Sequence, residues 1–382
     1  MASNASITNI NASRKKNWLF NFFHKCVGHK RDKKLWIFSS YLGRYQDNSR
    51  YLFEYVSKNE KDIKAIYFVQ NEELQKKLAS ENLNSVIIGS KEAKKIAKKA
   101  GVSFYTNGID DFGEHIYNYR SYVVALWHGV GFKEMYYADR NFHDNIVKKI
   151  YRNFFSYVHR NLTVATSEYA FECFARDFRF NRSKAKYVIN GQPRNDIFFD
   201  KKESKKDHKV MLYAPTYRKV EEQNINIKNV IDFFSSKEGL DLLKENNIKL
   251  YVRLHPVTEN IEIKENDNVI DASKMDGQAL LLDTDILITD YSSIATDFAI
   301  TKKPVIVYAP DYDEYIKSEP LFDEASQIYK HKDVSLSIND LKKKIAHPSS
   351  SLTDEFNKML NTDLDGEYSK KLTNKLKEIL KI

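Results

Sequence analysis

Short apolar runs alternate with amphipathic stretches along most of the chain, and this alternation predicts β-strands separated by α-helices. In the first half the apolar runs are LWIFSS, AIYFV, SVIIG, YVVALW and LTVATS, and NSRYLFEYVSKN, NEELQKKLASE and SKEAKKIAKKAG have helical spacing. The pattern restarts after residue 205 with KVMLYAP, IKLYVRLHP, NVIDAS, DILITDY and PVIVYAP. Strands that alternate with helices favour parallel sheets covered on both faces. The sequence therefore predicts an α/β protein built from two similar blocks.

A charged stretch with few apolar residues, KKESKKDHK at 201–209, separates the two blocks and marks the predicted domain boundary. The predicted units are an N-terminal segment (1–34), an N-terminal Rossmann-like domain (35–204) and a C-terminal Rossmann-like domain (205–334). The remaining tail (335–382) contains DLKKKIA and YSKKLTNKLKEILKI, whose apolar spacing predicts amphipathic helices.

Composition and charge narrow the class of protein. With 382 residues, 42% of them hydrophobic, the chain is long enough for two cores and is not typical of a disordered protein. The net charge of +9 favours anionic partners, which include phosphates, nucleotides, nucleic acid and acidic bilayers, without choosing among them. The two cysteines, Cys26 and Cys173, match no metal-binding spacing and are consistent with a reduced cytosolic protein.

The segment KKNWLFNFFHKCVGHKRDKK (15–34) places aromatic residues among lysines and arginines. This composition is typical of a helix that lies in a membrane interface. A basic helix that packs on the body of the protein would have the same composition. No apolar run reaches the roughly 18 residues of a transmembrane helix, and the N-terminus lacks the apolar core of a secretory signal.

Five segments place polar residues where strands end, which is where open α/β sheets bind ligands. The first, ALWHGVGFKEMYY (125–137), has His128 followed by Gly129, Gly131 and Lys133. An imidazole at this position can act as a general base near neutral pH, and glycine lets a ligand approach the backbone. The alternative is a histidine that only hydrogen-bonds to its own turn.

The second and third segments contribute arginines. In YVINGQPRNDIFF (187–199), the turn after Pro193 presents Arg194, which suits phosphate binding but could equally bond to Asp196 or to a loop carbonyl. In MLYAPTYRK (211–219), Thr216, Tyr217 and Arg218 follow an apolar strand.

The fourth segment, LYVRLHP (250–256), has Arg253 and His255 on the same side of the predicted strand. Burying such residues without a partner is costly, which favours a site over a packing role. The fifth, DILITDYSSIATDFAITKKPVIVYAP (285–310), places Asp290, Ser292 and Ser293 between an apolar strand and a helix. A helix N-terminus can bind phosphate, although a capped helix without a ligand gives the same pattern.

No metal site is predicted. Asp283 and Asp285 form a D-x-D pair, but they precede a strand and are interpreted as a solvent-exposed turn. A Mg²⁺ ion could still bridge a bound diphosphate without a dedicated protein site. No G-x-S-x-G sequence indicates a serine hydrolase.

Taken in order, these segments resemble the CDP-glycerol glycerophosphotransferase family of teichoic acid primases, teichoic acid polymerases and capsule polymerases. The resemblance covers roughly residues 35–330 and depends on the set WHGVGFK, GQPRND, YAPTYR, RLHP and TDYSSIATDFAITKKPVIVY. It implies a GT-B-like arrangement, in which two Rossmann-like domains face a central cleft. It also implies transfer of a polyol phosphate from a CDP-activated donor, CDP-glycerol or a related CDP-polyol, to a lipid-linked or polymeric acceptor, with release of CMP.

The resemblance further implies roles for individual residues. The histidines that match His128 and His255 are regarded as catalytic in the family, and the TDYSS segment and nearby arginines are associated with the donor phosphates. Family members are commonly peripheral at the cytoplasmic face of the membrane. The residues expected to bind substrate are Gly129, Lys133, Arg194, Thr216, Arg218, Arg253, Asp290, Ser292 and Ser293.

Three other functions compete with this interpretation. One is a membrane-surface scaffold without catalytic activity, which the clustering of titratable residues at the ends of strands disfavours. A GT-B glycosyltransferase that uses a nucleotide sugar for surface polysaccharide synthesis would show similar segments at the ends of its strands. A nucleic-acid-binding protein would explain the positive charge, but the cations are spread along the chain and no nucleic-acid module is recognised, so no nucleic-acid partner is expected.

Overall fold

The computed structural model of the 382-residue chain describes residues 31–113, 120–135, 138–139, 160–178, 186–200, 206–218, 224–255, 258 and 261–382. The basic aromatic segment predicted at 15–34 lies outside these residues except for its last four. The charged boundary stretch at 201–209 is described only from Lys206 onward.

A seven-stranded, fully parallel sheet with the order β3-β2-β1-β4-β5-β6-β7 forms the N-terminal half. Its strands are β1 (Asp32–Phe38), β2 (Lys64–Val69), β3 (Ser85–Ile87), β4 (Ala100–Tyr105), β5 (Tyr122–Ala125), β6 (Leu162–Ala165) and β7 (Tyr187–Ile189). Its helices are α1 (Asp47–Asn59), α2 (Glu72–Ser80), α3 (Lys91–Lys99) and α4 (Glu168–Phe178). The central strands are buried on both faces, as the continuous apolar runs predict.

Two features of this sheet differ from the sequence-based prediction. Strand β1 begins at Asp32 and so includes the last three residues of the predicted N-terminal segment. Strand β4 was not predicted, because its sequence, AGVSFY, directly follows the amphipathic pattern of α3. Gly101 explains how β4 fits beside β1: a Cβ atom there would lie 2.3 Å from the carbonyl oxygen of Asp32, so only glycine allows this approach.

A five-stranded parallel sheet with the order β10-β9-β8-β11-β12 forms the C-terminal half. Its strands are β8 (Lys209–Tyr213), β9 (Ile248–Val252), β10 (Val269–Asp271), β11 (Ile286–Thr289) and β12 (Val305–Val307). Its helices are α5 (Ile225–Ser235), α6 (Lys237–Glu245), α7 (Gly277–Asp283), α8 (Ile294–Ala299), α9 (Tyr312–Ser318) and α10 (Asp323–Tyr329). Two parallel sheets, each covered by helices, confirm the predicted fold class.

Strand β9 is shorter than the sequence suggested. It ends at Val252, so Arg253 and His255 lie just beyond the strand and not within it. Their position at the carboxyl end agrees with the expected location of ligand sites, although the reason is the loop geometry and not the alternation of a strand.

The helices of the tail divide between the two halves. They are α11 (Ile338–Ala346), α12 (Ser351–Leu360) and α13 (Tyr368–Leu380). Helix α12 lies on the C-terminal half, where the Asn357 side chain donates a hydrogen bond of 2.7 Å to the Ala299 carbonyl. Helix α13 returns to the N-terminal half, since Leu372 and Leu376 belong to the same buried cluster as Trp36.

The two halves are packed against each other. One continuous buried cluster contains Trp127 and Phe174 from the N-terminal half together with Tyr291 and Phe298 from the C-terminal half. Within the residues that the structure describes, no helix combines the length and hydropathy that a membrane crossing requires.

Candidate active site in the cleft

A cavity of about 420 Å³ opens where β8, β9 and β11 end, within the size range of small-molecule sites. The cavity is lined by Lys133, Ala214, Pro215, Thr216, Tyr217, Arg218, Arg253, His255, Ser292, Ile294, Tyr315, Ser318 and Glu319. Lys133 comes from the N-terminal half and the other lining residues from the C-terminal half. The structure thus brings together five of the residues predicted from the sequence as substrate ligands, and one of the two predicted catalytic histidines.

His128 lies beyond the carboxyl end of β5, on a loop with unusual backbone geometry. Trp127, the residue before it, has a φ of 60°, a left-handed conformation that is costly for a bulky side chain. The two rings stack with their centroids 4.7 Å apart. The His128 side chain is exposed, and its Nδ1 atom lies 3.3 Å from the Thr106 carbonyl. Because a carbonyl can only accept, Nδ1 carries the hydrogen and Nε2 has the free lone pair.

The loop that provides this carbonyl is itself held in place by a buried carboxylate. Asp111 is 3% exposed, and its Oδ2 accepts hydrogen bonds of 2.9 Å from the backbone amides of Thr106 and Asn107. Burial raises the pKa of Asp111 to about 6, although the two amide hydrogen bonds oppose that rise. Asp111 therefore orients Thr106, which in turn orients His128.

The electrostatic environment favours the neutral form of His128. Desolvation by the surrounding protein lowers its pKa, with a smaller contribution from Arg194, while Asp47 and the Thr106 carbonyl act in the opposite direction. A neutral imidazole with a free Nε2 can accept a proton near neutral pH.

The loop that carries His128 touches the C-terminal half at the start of α8. A Cβ atom on Gly129 would lie 2.8 Å from the Ser293 hydroxyl oxygen, so glycine is required for this close approach. His128 does not line the cavity itself, but this contact places its loop against the turn that contains Ser292, which does. The turn before α8 thus contacts the loop of His128 through Ser293 and shares a cavity with His255 through Ser292.

His255 and Arg253 lie together at the end of β9. The His255 ring is 5.6 Å from the Tyr217 ring, and desolvation followed by the charge of Arg253 lowers the His255 pKa. Desolvation also lowers the pKa of Arg253, whose Nε hydrogen has no partner among the described residues. A buried donor facing a cavity is well suited to an anionic ligand.

Arg218 lines the cavity but is bound mainly to protein carboxylates. Its Nη2 lies 2.9 Å from Asp290 and 3.2 Å from Asp311, and the residue is 3% exposed. Asp290 also accepts a hydrogen bond of 2.7 Å from the Thr216 amide. In this structure the Asp290 carboxylate organises the loops after β8 and β11, and its predicted contact with substrate stays a prediction. The Thr216 hydroxyl remains buried without a hydrogen-bond partner among the described residues.

Arg194 is predicted to bind phosphate, whereas in this structure its terminal nitrogens bind protein groups. Its Nη1 is 2.7 Å from Asp47 Oδ1 and its Nη2 is 2.6 Å from Asp297 Oδ2. Nη1 also donates a hydrogen bond of 2.8 Å to the His128 carbonyl. The residue is 9% exposed and is absent from the cavity lining, because it faces the buried contact between the halves.

Helix α9 contributes cavity residues that the sequence interpretation missed. The Tyr315 hydroxyl accepts a hydrogen bond of 2.7 Å from Lys133 Nζ, and Ser318 and Glu319 line the same side. The segment 132–134 pairs with 320–322 through an antiparallel bridge between Lys133 and Leu321. The rule that ligands bind beyond the carboxyl ends of strands could have indicated these residues, because α9 follows the carboxyl end of β12.

Among the described residues, no three His, Cys, Asp or Glu side chains lie close enough together to bind a metal ion. The D-x-D pair has structural partners instead. Asp285 Oδ2 accepts a hydrogen bond of 3.0 Å from the Val210 amide, and Asp283 lies 3.0 Å from Lys206.

The chain is similar in sequence to proteins of teichoic acid synthesis. The "Teichoic acid poly(glycerol phosphate) polymerase" of Bacillus spizizenii is 29% identical over 308 residues, which cover 75% of this chain and 76% of that protein. The "Teichoic acid glycerol-phosphate primase" of Bacillus subtilis is 32% identical over 186 residues, or 46% of each chain. The "Teichoic acid poly(ribitol-phosphate) polymerase" of B. spizizenii is 31% identical over 239 residues, which cover 56% of this chain and only 37% of that protein.

Solved structures support the fold. The wall teichoic acid polymerase TagF superposes with a TM-score of 0.72 at 20% sequence identity, covering 99% of this chain and 95% of that one. A UDP-bound MnaA structure from S. aureus superposes with a TM-score of 0.55 at 14% identity and covers 92% of this chain and 97% of that one. The arrangement of the two sheets is therefore GT-B-like.

The family comparison covers almost the entire chain. Residues 20–376 match the sequence model of the family described as CDP-Glycerol:Poly(glycerophosphate) glycerophosphotransferase. This match includes both sheets and every residue predicted for the site. The protein is a transferase that belongs to the CDP-glycerol glycerophosphotransferase family.

Proposed function

We propose that this protein transfers glycerol phosphate from CDP-glycerol to a hydroxyl group of a lipid-linked or polymeric cell-wall or capsule acceptor, releasing CMP. The observation that carries the proposal is the cavity at the C-terminal half, with Arg253, His255 and Ser292 in its lining, next to the loop of His128. Relatives named for glycerol phosphate and for ribitol phosphate both match the chain, so a related CDP-polyol is the nearest alternative donor.

The reaction joins the acceptor oxygen to the donor's β-phosphorus. His128 Nε2 accepts the proton of the acceptor hydroxyl while that oxygen attacks the phosphorus atom that carries glycerol. The bond between this phosphorus and the bridging oxygen breaks, and CMP leaves with the electron pair. Because such transfers depend mainly on positioning and charge neutralisation, cations and amides around the diphosphate are the main requirement.

The C-terminal half supplies those groups. Arg253 has a donor, Nε–H, that meets no acceptor in the described part of the chain. Ser292, Ser293 and the first turn of α8 offer hydroxyl and amide donors to the diphosphate. His255 donates a hydrogen bond to the departing phosphate, and its lowered pKa favours a neutral imidazole as the donor. Lys133 lines the same cavity from the N-terminal half.

The N-terminal half accordingly serves as the acceptor side, with domain limits near 35–204, and the C-terminal half (205–334) serves as the donor side. We propose in addition a peripheral position at the cytoplasmic face of the membrane. The net charge of +9 and the basic aromatic segment at 15–34 support this, because both favour an anionic surface. Flotation with anionic and with neutral vesicles tests the position, and equal recovery with both would contradict it.

A donor screen tests the activity directly. The full chain is incubated with a lipid-like acceptor and with CDP-glycerol, CDP-ribitol or UDP-sugars, and the release of CMP or UDP is measured. CMP from CDP-glycerol, with acceptor mass increased by glycerol phosphate units, is the expected result, and the mass also reveals how many units are added. UDP release without CMP release would replace the proposal by a glycosyltransferase.

A further inference from the structure

A buried arginine joins the two halves of the molecule directly behind the candidate active site. Arg194, in the turn that follows β7, binds Asp47 of α1 at 2.7 Å and Asp297 of α8 at 2.6 Å. Asp47 belongs to the same half as Arg194, whereas Asp297 belongs to the other. The three side chains are only 10%, 15% and 7% exposed.

Neighbouring amides complete this contact. Asn195 donates a hydrogen bond of 2.9 Å to the second carboxylate oxygen of Asp297. Gln278 of the C-terminal half donates to the Asn195 side chain at 2.7 Å and to the Arg194 carbonyl at 3.1 Å. Buried charges persist only when their partners satisfy them, so this geometry requires both halves to be docked.

On the N-terminal side, the same arginine holds the loop of His128. Arg194 Nη1 donates a hydrogen bond of 2.8 Å to the His128 carbonyl. The Arg194 amide donates to Asn48 Oδ1 at 3.1 Å, and Asn48 Nδ2 donates to the Trp127 carbonyl at 2.9 Å. Trp127 is the residue with the left-handed backbone, so these bonds help to keep a costly conformation in place.

On the C-terminal side, Asp297 belongs to α8, whose first residues follow the Ser292–Ser293 turn. A rigid helix therefore connects the carboxylate that binds Arg194 to the serines beside the cavity. The same contact also fixes Gly129 against Ser293, where a Cβ atom would lie 2.8 Å from the hydroxyl oxygen.

We propose that Arg194 is a positioning residue that locks the His128 loop to helix α8 through Asp297, so that the base and the phosphate-binding turn keep a fixed separation. This inference rests on the proposed function for the identity of the base and deepens it by assigning the coupling between the halves. Arg194 touches neither donor nor acceptor, because its guanidinium lies outside the cavity and its terminal nitrogens bind protein groups.

Two conservative variants test the positioning role of Arg194. Arg194→Lys keeps the charge but cannot bridge both carboxylates, and Asp297→Asn keeps the shape of the side chain. A displacement of about 1 Å in an active site can lower the rate by about 100-fold. We expect kcat to fall by about that factor in Arg194→Lys and by a smaller factor in Asp297→Asn, whereas the Kd of CDP-glycerol, measured by calorimetry, changes by less than about threefold.

Arg176→Lys is the matched control. Arg176 and Glu324 also form an arginine–carboxylate pair between the halves, with nitrogen–oxygen distances of 3.3 and 3.0 Å, but this pair is exposed and does not contact the His128 loop. We expect its kcat to remain within about twofold of wild type, in keeping with the small contribution of exposed pairs. A parallel loss of kcat and donor affinity in Arg194→Lys would make it a phosphate ligand and overturn the proposal, as would an unchanged kcat in both conservative variants.

A measurement without substrate separates this inference from the proposed function. The His128 ring resonances, assigned by NMR with a His128→Gln variant, should shift in Arg194→Lys and in Asp297→Asn but not in Arg176→Lys. If the resonances stay unchanged in Arg194→Lys and Asp297→Asn, the positioning role of Arg194 is refuted even where CDP-glycerol is a substrate. If the wild-type protein releases no CMP but the resonances shift in both variants, the proposed function is refuted and the positioning role of Arg194 is supported. Asp297→Asn keeps the test valid should Arg194→Lys fail to fold.

Discussion

Replacement of His128 by alanine is the most direct test of the proposed chemistry. The structure assigns the free lone pair to Nε2, because Nδ1 faces the Thr106 carbonyl at 3.3 Å. Loss of a general base lowers the rate by about 10²- to 10⁴-fold. At about 1.36 kcal/mol for each factor of ten, this corresponds to roughly 2.7–5.4 kcal/mol of transition-state stabilisation.

The same variant should leave donor binding intact. His128 does not line the cavity that contains Arg253 and His255, so the ground-state contacts of CDP-glycerol remain. CMP release at saturating donor and acceptor gives kcat, and calorimetry gives the donor Kd. His347→Ala is the matched control, because His347 is exposed at the end of α11, outside the cavity lining. Near-normal turnover of His128→Ala, or a loss of donor affinity as large as the loss of kcat, would refute the assignment.

The pH dependence of the wild-type enzyme follows from the same environment. A general base works when it is deprotonated, and desolvation lowers the His128 pKa from its usual value of 6.5. The rate should therefore increase with pH through an apparent pKa below 6.5. Above neutral pH, His128 is already deprotonated and should cause no further increase in the rate. This acidic limb should disappear from the residual activity of His128→Ala, and its persistence there would assign the limb to another group.

Three further substitutions probe the cleft and the packing around it. His255→Ala should lower kcat and weaken CDP binding together, because His255 lines the cavity; both are measured by CMP release and calorimetry. Gly129→Ala should keep the fold but lower kcat. Its Cβ would lie 2.8 Å from the Ser293 hydroxyl oxygen and would displace that hydroxyl from its place in the Ser292–Ser293 turn. Gly191→Ala should destabilise the protein by about 1–3 kcal/mol in chemical unfolding, because its Cβ would lie 2.2 Å from the buried Tyr368 ring.

Controls accompany these variants. Gly108→Ala introduces the same methyl group at a position where no atom of the described residues outside the adjoining chain lies within 4 Å, so it should leave unfolding unchanged. Wild-type stability of Gly191→Ala would contradict the packing around Tyr368. An unaltered donor Kd in His255→Ala would remove that residue from the donor site, and full activity of Gly129→Ala would show that the Ser293 hydroxyl is dispensable.

Local sequence patterns predict most of the helices and strands and the edge of the sheet where the site lies. Apolar runs and helical spacing are local properties, so they revealed nearly all the strands; β4 was missed because its short run merges with the pattern of α3. The rule that parallel strands bind ligands at their carboxyl ends then brought Thr216, Arg253, His255 and Ser292 into one cavity, as the structure has them.

Which charged residues have side chains available to a substrate depends on long-range contacts in the folded protein. Arg194 looked like a phosphate ligand, but its partners Asp47 and Asp297 lie 147 and 103 residues away in the chain. Arg218 is similarly occupied by Asp311, 93 residues away. A carboxylate neutralises an arginine only when the fold places the two within hydrogen-bonding distance, and that proximity depends on how the two halves pack, which no local pattern encodes.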